Sequence, residues 1–415
     1  NNSETYRTYN SKQAGFSVRC VKDEAGITHI PADYPTIQAG IDESSSGDTV
    51  LVAAGTYTEN INYNGKNIVL KSADGPLTTI LVPANNSISV VRIINNETAD
   101  AFLSGFTIKD GGNVRGSAIK ISGSSPIIEN CIVRDCDNGA ISTFHALPEI
   151  RNCLVYNNSV GFFFDAQDPE TGPKIINCTV VNNQNTGLER SPGNGIPEIY
   201  NSIIYGNGTN TQGSLIITYS LVEGGFSGTG NIDSDPLFVD AASGNYRLSD
   251  YSPAIGAGTA TGAPSTDIDG NPRPNPSGSN PDMGAYENAL GTPSAPPVPT
   301  NLAATVGNGL VNLSWSGNDY ATSYSVYRST TSGSGFTAIA TGLSTNSYAN
   351  TDLTNETTYY YKVSSIGAGG ESDLTDEISA TPKAQKYTVK TDGSGDYTVI
   401  QTAIDATTDA DTVLV

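Results

Sequence analysis

The sequence predicts an all-β chain made of a stacked parallel solenoid followed by a small antiparallel sandwich. Three observations predict it. The composition is rich in β-formers and turn residues, with 44 Gly and 21 Tyr but a single Met and a single Trp. A short motif recurs four times at nearly constant spacing. A separate run of alternating strand signals follows a Pro-rich linker. The chain has 415 residues and 21 Lys+Arg against 42 Asp+Glu, for a net charge of -21, yet only 15% of residues are charged. The acidity is therefore spread thinly over an Asn-, Ser- and Thr-rich surface. Such a chain repels nucleic acid and anionic membranes, so neither is a partner. No apolar run approaches the roughly 20 residues of a membrane span.

The motif is Pro-x-Ile-x-Asn-Cys/Ser, beginning at Pro126, Pro148, Pro173 and Pro197 with spacings of 22, 25 and 24. A polar turn follows each copy, and "LSGFTIKDGG" from Leu103 fits the same phase more loosely. One unit of this size cannot bury its apolar face alone, whereas stacked coils can. The phase puts Ile128, Ile150, Ile175 and Ile199 in an inner column. It puts Asn130, Asn152, Asn177 and Asn201 at a corner, where side-chain amides would bond backbone and each other. Cys131, Cys153, Cys178 and Ser202 continue the stack. On this pattern the chain resembles the right-handed parallel β-helix proteins of the pectin-lyase-like superfamily over residues 26–290.

Before the first coil, "YPTIQAGIDES" offers a short amphipathic cap helix, with Pro35 suited to its first position and Ile37 and Ile41 one turn apart. After the last coil, Ser252–Gly256, Asp267–Arg273 and Met283–Glu287 resemble the choice-of-anchor Q domain that closes many secreted bacterial β-helices. "GTPSAPPVPT" is a Pro-rich linker. Within 291–382, seven strand signals, Trp315 on the second strand, and Leu353 with Tyr359 at tyrosine-corner spacing resemble a fibronectin type III sandwich. Residues 33–52 return at 396–415 with eleven of twenty identical, so 383–415 reads as the start of a second solenoid, cut short. "GFSVRCVKD" near the start resembles the end of a Fibrobacter-type major paralogous domain, which makes residues 1–25 a remnant with a lone Cys20. The expectation is a piece of a longer, modular, extracellular bacterial protein, monomeric, with polysaccharide or cell-surface glycan as its partner.

Chemistry is sparse. Gly55–Glu59 matches the opening signature of pectin methylesterases, but the catalytic motifs of that family, of polygalacturonases and of pectate lyases are absent. Stacking would bring His145, Arg151, Asp165, Asp168, Glu170, Lys174, Glu189 and Arg190 to one flank. One reading is a carbohydrate or calcium groove, with Arg190, Lys174 and Asp165 as the catalytic candidates and His145, Arg151, Asp168, Glu170 and Glu189 as ligand-binding. The competing reading is an ordinary solvated loop face with ion pairs. Outward aromatics on the flank would favour sugar stacking, but alternation alone leaves open which of Phe162, Phe163 and Phe164 points outward. Asp267 and Asp269 resemble the start of a calcium loop, the one cofactor suggested, though the Pro-rich sequel breaks the EF-hand pattern. The stacked cysteines read as free buried thiols, because parallel side chains give a poor disulfide dihedral. Cys136, on a turn, is expected to be more exposed. The function weighed first is non-catalytic glycan binding. A polysaccharide lyase or hydrolase and a pure spacer are the alternatives.

Overall fold

The computed structural model describes residues 26–112, 117–165, 172–193, 195–407 and 411–415. The remnant assigned to 1–25, Asp168 and Glu170 lie outside these described residues. From Ile27 to Val222 the chain winds through three parallel sheets, or faces, of nine, eight and seven strands. Each coil visits the three faces in turn. One coil, for example, runs Glu149–Arg151, Leu154–Tyr156 and Val160–Asp165. Following the chain order within each sheet gives a right-handed parallel β-helix.

The predicted inner column forms. Ile128, Ile150, Ile175 and Ile199 are direct register partners and all are buried. The corner asparagines are also where the spacing put them. Asn130, Asn152, Asn177 and Asn201 have φ of 54°, 50°, 48° and 51°. A single left-handed residue turns the strand sharply, and Asn tolerates that conformation better than most side chains. The next corner repeats the device with Asp110, Asp135, Asn157, Asn182 and Gly206, all at positive φ.

One detail of the corner differs from expectation. Only Asn201 donates to its neighbour in the column, reaching Asn177 Oδ1 at 3.2 Å. Asn152, Asn177 and Asn201 instead donate to the carbonyls of Thr266, Asp282 and Thr259, on the segment that follows the coil. The ladder in which amides bond one another lies elsewhere, at Asn158, Asn183, Asn207 and Asn210. Asn183, Asn207 and Asn210 each accept from the backbone N–H and the side-chain amide of the one before.

The segment after the coil does more than close an end. It lies along the outside of the second face. There Ile132, Leu154, Val181, Ile203 and Leu221 pack against Tyr246, Leu248, Ile255, Ile268 and Met283 in a second apolar core. The second face is thus buried on both sides. Among the described residues the first and third faces have no such cover.

The cap helix, α1, spans Ile37–Glu43 and buries Ile37 and Ile41. Its N-cap is Thr36, whose hydroxyl accepts from Ala39 N–H, so Pro35 lies just before the helix and not inside it. Glu59 completes the cap: its two oxygens accept the N–H groups of Ile37 and Gln38 at 2.9 and 3.0 Å. This gives the Gly55–Glu59 motif a structural role, because a carboxylate satisfies the orphan donors of a helix start and its dipole.

The sandwich pairs a three-stranded antiparallel sheet (Thr300–Gly307, Leu310–Ser316, Ser347–Asn350) with a second sheet built on Ser323–Ser329, Thr337–Leu343 and Tyr359–Gly367. Trp315 is buried, and Tyr359 Oη accepts from Thr354 N–H beside Leu353, as a tyrosine corner requires. A second helix, α2 (Ile400–Asp405), and a parallel pair (Lys386–Thr388 with Thr412–Leu414) follow. Here Ile400 and Ile404, the counterparts of Ile37 and Ile41, are 46% and 48% exposed.

The corner geometry predicts a graded response at Asn177. N177G keeps the left-handed turn and loses the amide bond to Asp282, costing about 1 kcal/mol. N177V adds the strain of a β-branched residue at positive φ and should cost about 1–2 kcal/mol more. Urea unfolding of the two variants checks the order.

Candidate functional site

The uncovered third face carries the arrangement most suited to a ligand. Its strands alternate, so every second side chain points outward. On Val160–Asp165 the inward residues are Phe162 and Phe164, both buried, stacked with centroids 5.8 Å apart. Phe163 is the outward ring, half-buried. It lies 5.9 Å from Phe144 of the preceding coil, and Lys120 Nζ sits 5.2 Å over the Phe144 ring. The parallel register sets Glu189 beside Phe163 and Asp165 beside Phe144. Two rings, an ammonium and two carboxylates therefore share one flat, rigid surface.

The candidates named from the sequence are only partly brought together. His145 is exposed at φ 47°, the third-corner position that Gly123 fills one coil earlier. It is a turn residue beside the strip. Asp165 accepts from Ser191 Oγ at 3.1 Å. Arg190 is a correction to the groove reading. It occupies the inward register position next to Phe164 and is buried. Its guanidinium donates to the carbonyls of Gly195 and Gly193, which ties it to its own turn. Arg151 and Lys174 belong to the first face, not the third. Arg151 is clamped between Glu129 and Glu149 at 3.2 and 2.8 Å. Lys174 is exposed, with Glu149 and Glu198 as its register neighbours. The expected single cluster is thus split over two faces, because the turn between them separates residues that are close in sequence.

Asp267 and Asp269 do not fit a calcium ion. Asp267 is buried, and its oxygens accept from the N–H groups of Asp269, Asn271 and Glu287 and from the Asn271 amide. Asp269 forms a two-pronged pair with Arg247 at 2.8 Å. Carboxylate oxygens occupied by N–H donors are closed to a cation. Among the described residues no group of three or more His, Cys, Asp or Glu could hold a metal ion.

What the segment builds instead is a buried charged knot. Arg273 Nε lies 3.3 Å from Glu287, both side chains being fully buried, and Arg273 also donates to Gly284 O at 3.1 Å. Asp282 accepts from Gly256 and Asn288 N–H at 2.8 and 2.6 Å. The three sequence motifs of the closing segment converge here, which no spacing rule showed. Burial, then the charge of Glu287, pushes the Asp282 carboxyl up to about 7, against those N–H donors and Arg273. Burial likewise raises Glu287 and lowers Arg273.

The four described cysteines are buried in the coil. Cys131, Cys153 and Cys178 are buried free thiols donating to the carbonyls of Glu129, Arg151 and Ile176, two residues earlier in each case, at 3.3–3.4 Å. Cys136 is buried too, contrary to its expected exposure, because its turn folds under the Asn158 amide, whose oxygen accepts the Cys136 N–H. Burial pushes its thiol up to about 12, which disfavours the reactive thiolate at neutral pH.

A family model described as a right handed beta helix region matches residues 60–224. An amylopullulanase of Thermoanaerobacterium saccharolyticum is 40% identical over 90 residues, covering 21% of this chain and 7% of that protein. An amylopullulanase of Thermoanaerobacter thermohydrosulfuricus is 42% identical over 90 residues, covering 21% and 6%. The chain therefore matches less than a tenth of the length of these curated relatives. Among solved structures, a Fn3-like protein from Clostridium thermocellum is 38% identical, covering 22% of this chain and 99% of that chain, with a TM-score of 0.21. A beta-1,2-glucanase from Parabacteroides distasonis is 22% identical, covering 26% and 15%, also at a TM-score of 0.21.

The knot predicts a pH signature. Folded Asp282 titrates near 7, well above the roughly 3.9 of an unfolded Asp. Between these values the folded state holds a proton that the unfolded chain has lost. Its contribution is present below about pH 4 and is lost as pH rises to 7, by roughly 2–4 kcal/mol. Chemical unfolding from pH 5 to 7 should show this slope, and D282N should flatten it whatever its absolute cost.

Proposed function

We propose that this chain is a glycan-binding, non-cleaving section of a modular bacterial protein that is secreted or held at the cell surface. The observation that carries this reading is the outward pair Phe144 and Phe163 with Lys120 above and Glu189 and Asp165 alongside. Aromatic faces stack on the apolar faces of sugar rings, and the flanking charges bond their hydroxyls. Parallel strands about 4.8 Å apart hold this pattern rigid, which lowers the entropic cost of binding an extended polymer.

Several features support binding without cleavage. Lyase chemistry needs a base beside a carboxylate-neutralising charge. Arg190 spends its donors on Gly193 and Gly195, and Lys174 lies between two glutamates on another face. The amylopullulanase likeness spans 90 residues, the size of the sandwich and far short of such an enzyme. It supports a shared carbohydrate setting and not shared catalysis. Among the described residues no helix is long and apolar enough to cross a membrane.

The modular part of the reading is that 252–287 closes the coil in the manner of a choice-of-anchor Q domain, that 1–25 ends a preceding Fibrobacter-type module, and that 383–415 begins a second coil. Matching contacts support the last. Gln401 donates to Asp405 as Gln38 does to Asp42, and Asp411 accepts from Gln385 N–H as Asp48 does from Gly26.

F144A and F163A should each weaken retention on the bound polysaccharide by roughly five- to ten-fold, with little change in melting temperature. Affinity electrophoresis across a polysaccharide panel reads this. Wild-type retention in both variants would remove the third face from the account.

A further inference from the structure

A second concave surface lies away from the third face, where coil and sandwich meet. Two adjoining hollows of about 420 and 490 Å³ share Asp235, Leu237, Asp319 and Tyr320. One wall is the coil's Tyr205 with the strand Phe238–Asp240 after it; the other is the sandwich turn at Asp319–Tyr320.

The walls are held in place. Tyr251 stacks on Tyr320 with centroids 4.1 Å apart, and Ser294 N–H donates to Asp250 O at 2.7 Å. A Cβ at Gly369 would meet Ser294 O at 2.1 Å, so linker and sandwich approach as closely as glycine allows. The groove is therefore part of the fold and not a gap between loosely tethered modules.

Its lining has a definite chemistry. Tyr205, Phe238 and Tyr320 are half-buried rings. Tyr246 forms the floor, edge-on to Phe238 at 5.3 Å, with its hydroxyl accepting from Asn182 at 3.0 Å. Asp235 and Asp319 are exposed, and among the described residues no Lys, Arg or His lines either hollow. Burial, then the carboxylates of Asp235, Glu223 and Asp233, raises the Tyr205 phenol, as a negative field does. Leu237, a bulky residue, sits at φ 50°, fixed by its N–H bond to Asp235 Oδ1 at 2.8 Å. Such strained backbone concentrates at ligand sites.

We propose that this junction groove is a second glycan site, selective for neutral, hydroxyl-rich oligosaccharides. The rings stack on sugar faces, the two carboxylates accept hydroxyls, and the uncompensated negative charge repels uronates, sulfated glycans and phosphates. The site rests on the glycan reading above but uses none of the third-face residues.

The test is hydrogen–deuterium exchange on the full chain with cellohexaose, maltohexaose or hexagalacturonate, for wild type, Y205A, D319N and F163A. A neutral hexasaccharide should slow exchange in 234–239 and 318–322. The affinity read from protection of these two segments should fall about ten-fold in Y205A and D319N, whereas F163A should alter protection on the third face and not in these segments, with melting temperatures confirming that all three fold. Protection of these segments by hexagalacturonate alone, or equal affinity in wild type, Y205A and D319N, would overturn the proposal. Protection confined to the third face and lost in F163A would overturn the groove and leave the first site standing. No protection by any probe would count against both.

Discussion

A left-handed residue that recurs at the same corner of successive coils is the constraint on which the coil depends. A parallel stack requires every coil to turn at the same place, or the inner column falls out of register. A single residue at φ near 50° makes that turn, and Asn, Asp or Gly supplies it at Asn130 to Asn201 and again at Asp110 to Gly206. Because the side-chain period of a strand is two, a slip of one residue at a corner would point Ile150 outward and Arg151 inward. The corner thus fixes which residues form the core and which form the surface that a ligand meets.

The asparagines at and near the corners do two separate jobs. Asn158, Asn183 and Asn207 bond to one another along the stack, satisfying buried backbone donors that no strand partner reaches. Asn152, Asn177 and Asn201 bond outward and dock the closing segment against the second face. That segment carries its own buried knot at Arg273, Asp282 and Glu287. Among the described residues, covering one face this way leaves two open, and the third presents the outward ring pair Phe144 and Phe163.

The repeat made much of this legible. Inner isoleucines, corner asparagines, buried thiols and the cap helix all follow from stacking one motif on its copies. What the sequence left unread has physical causes. Thr36 displaced Pro35 at the helix start because Thr offers a hydroxyl to a free N–H and Pro offers none. The three consecutive phenylalanines satisfy either alternation, so only the register with Ile141 and Leu188 shows that Phe163 faces out. Arg190 looked like a surface charge, but its strand phase points inward and its long side chain reaches the carbonyls of its own turn. Arg151 and Lys174 looked like neighbours of Asp165 because the turn between faces is short in sequence, yet it carries them to another sheet. The closing knot and the junction groove join residues far apart in the chain, and no local pattern announces either.

The central claim is that the coil binds polysaccharide and leaves it whole. The most direct measurement is to incubate the chain with a panel of insoluble polysaccharides and follow retention, new reducing ends and unsaturated products together. The account predicts retention on at least one of them, with no new ends and no ultraviolet-absorbing product. New ends that vanish on changing Lys174 or Asp165 to Ala would contradict it and make the protein an enzyme.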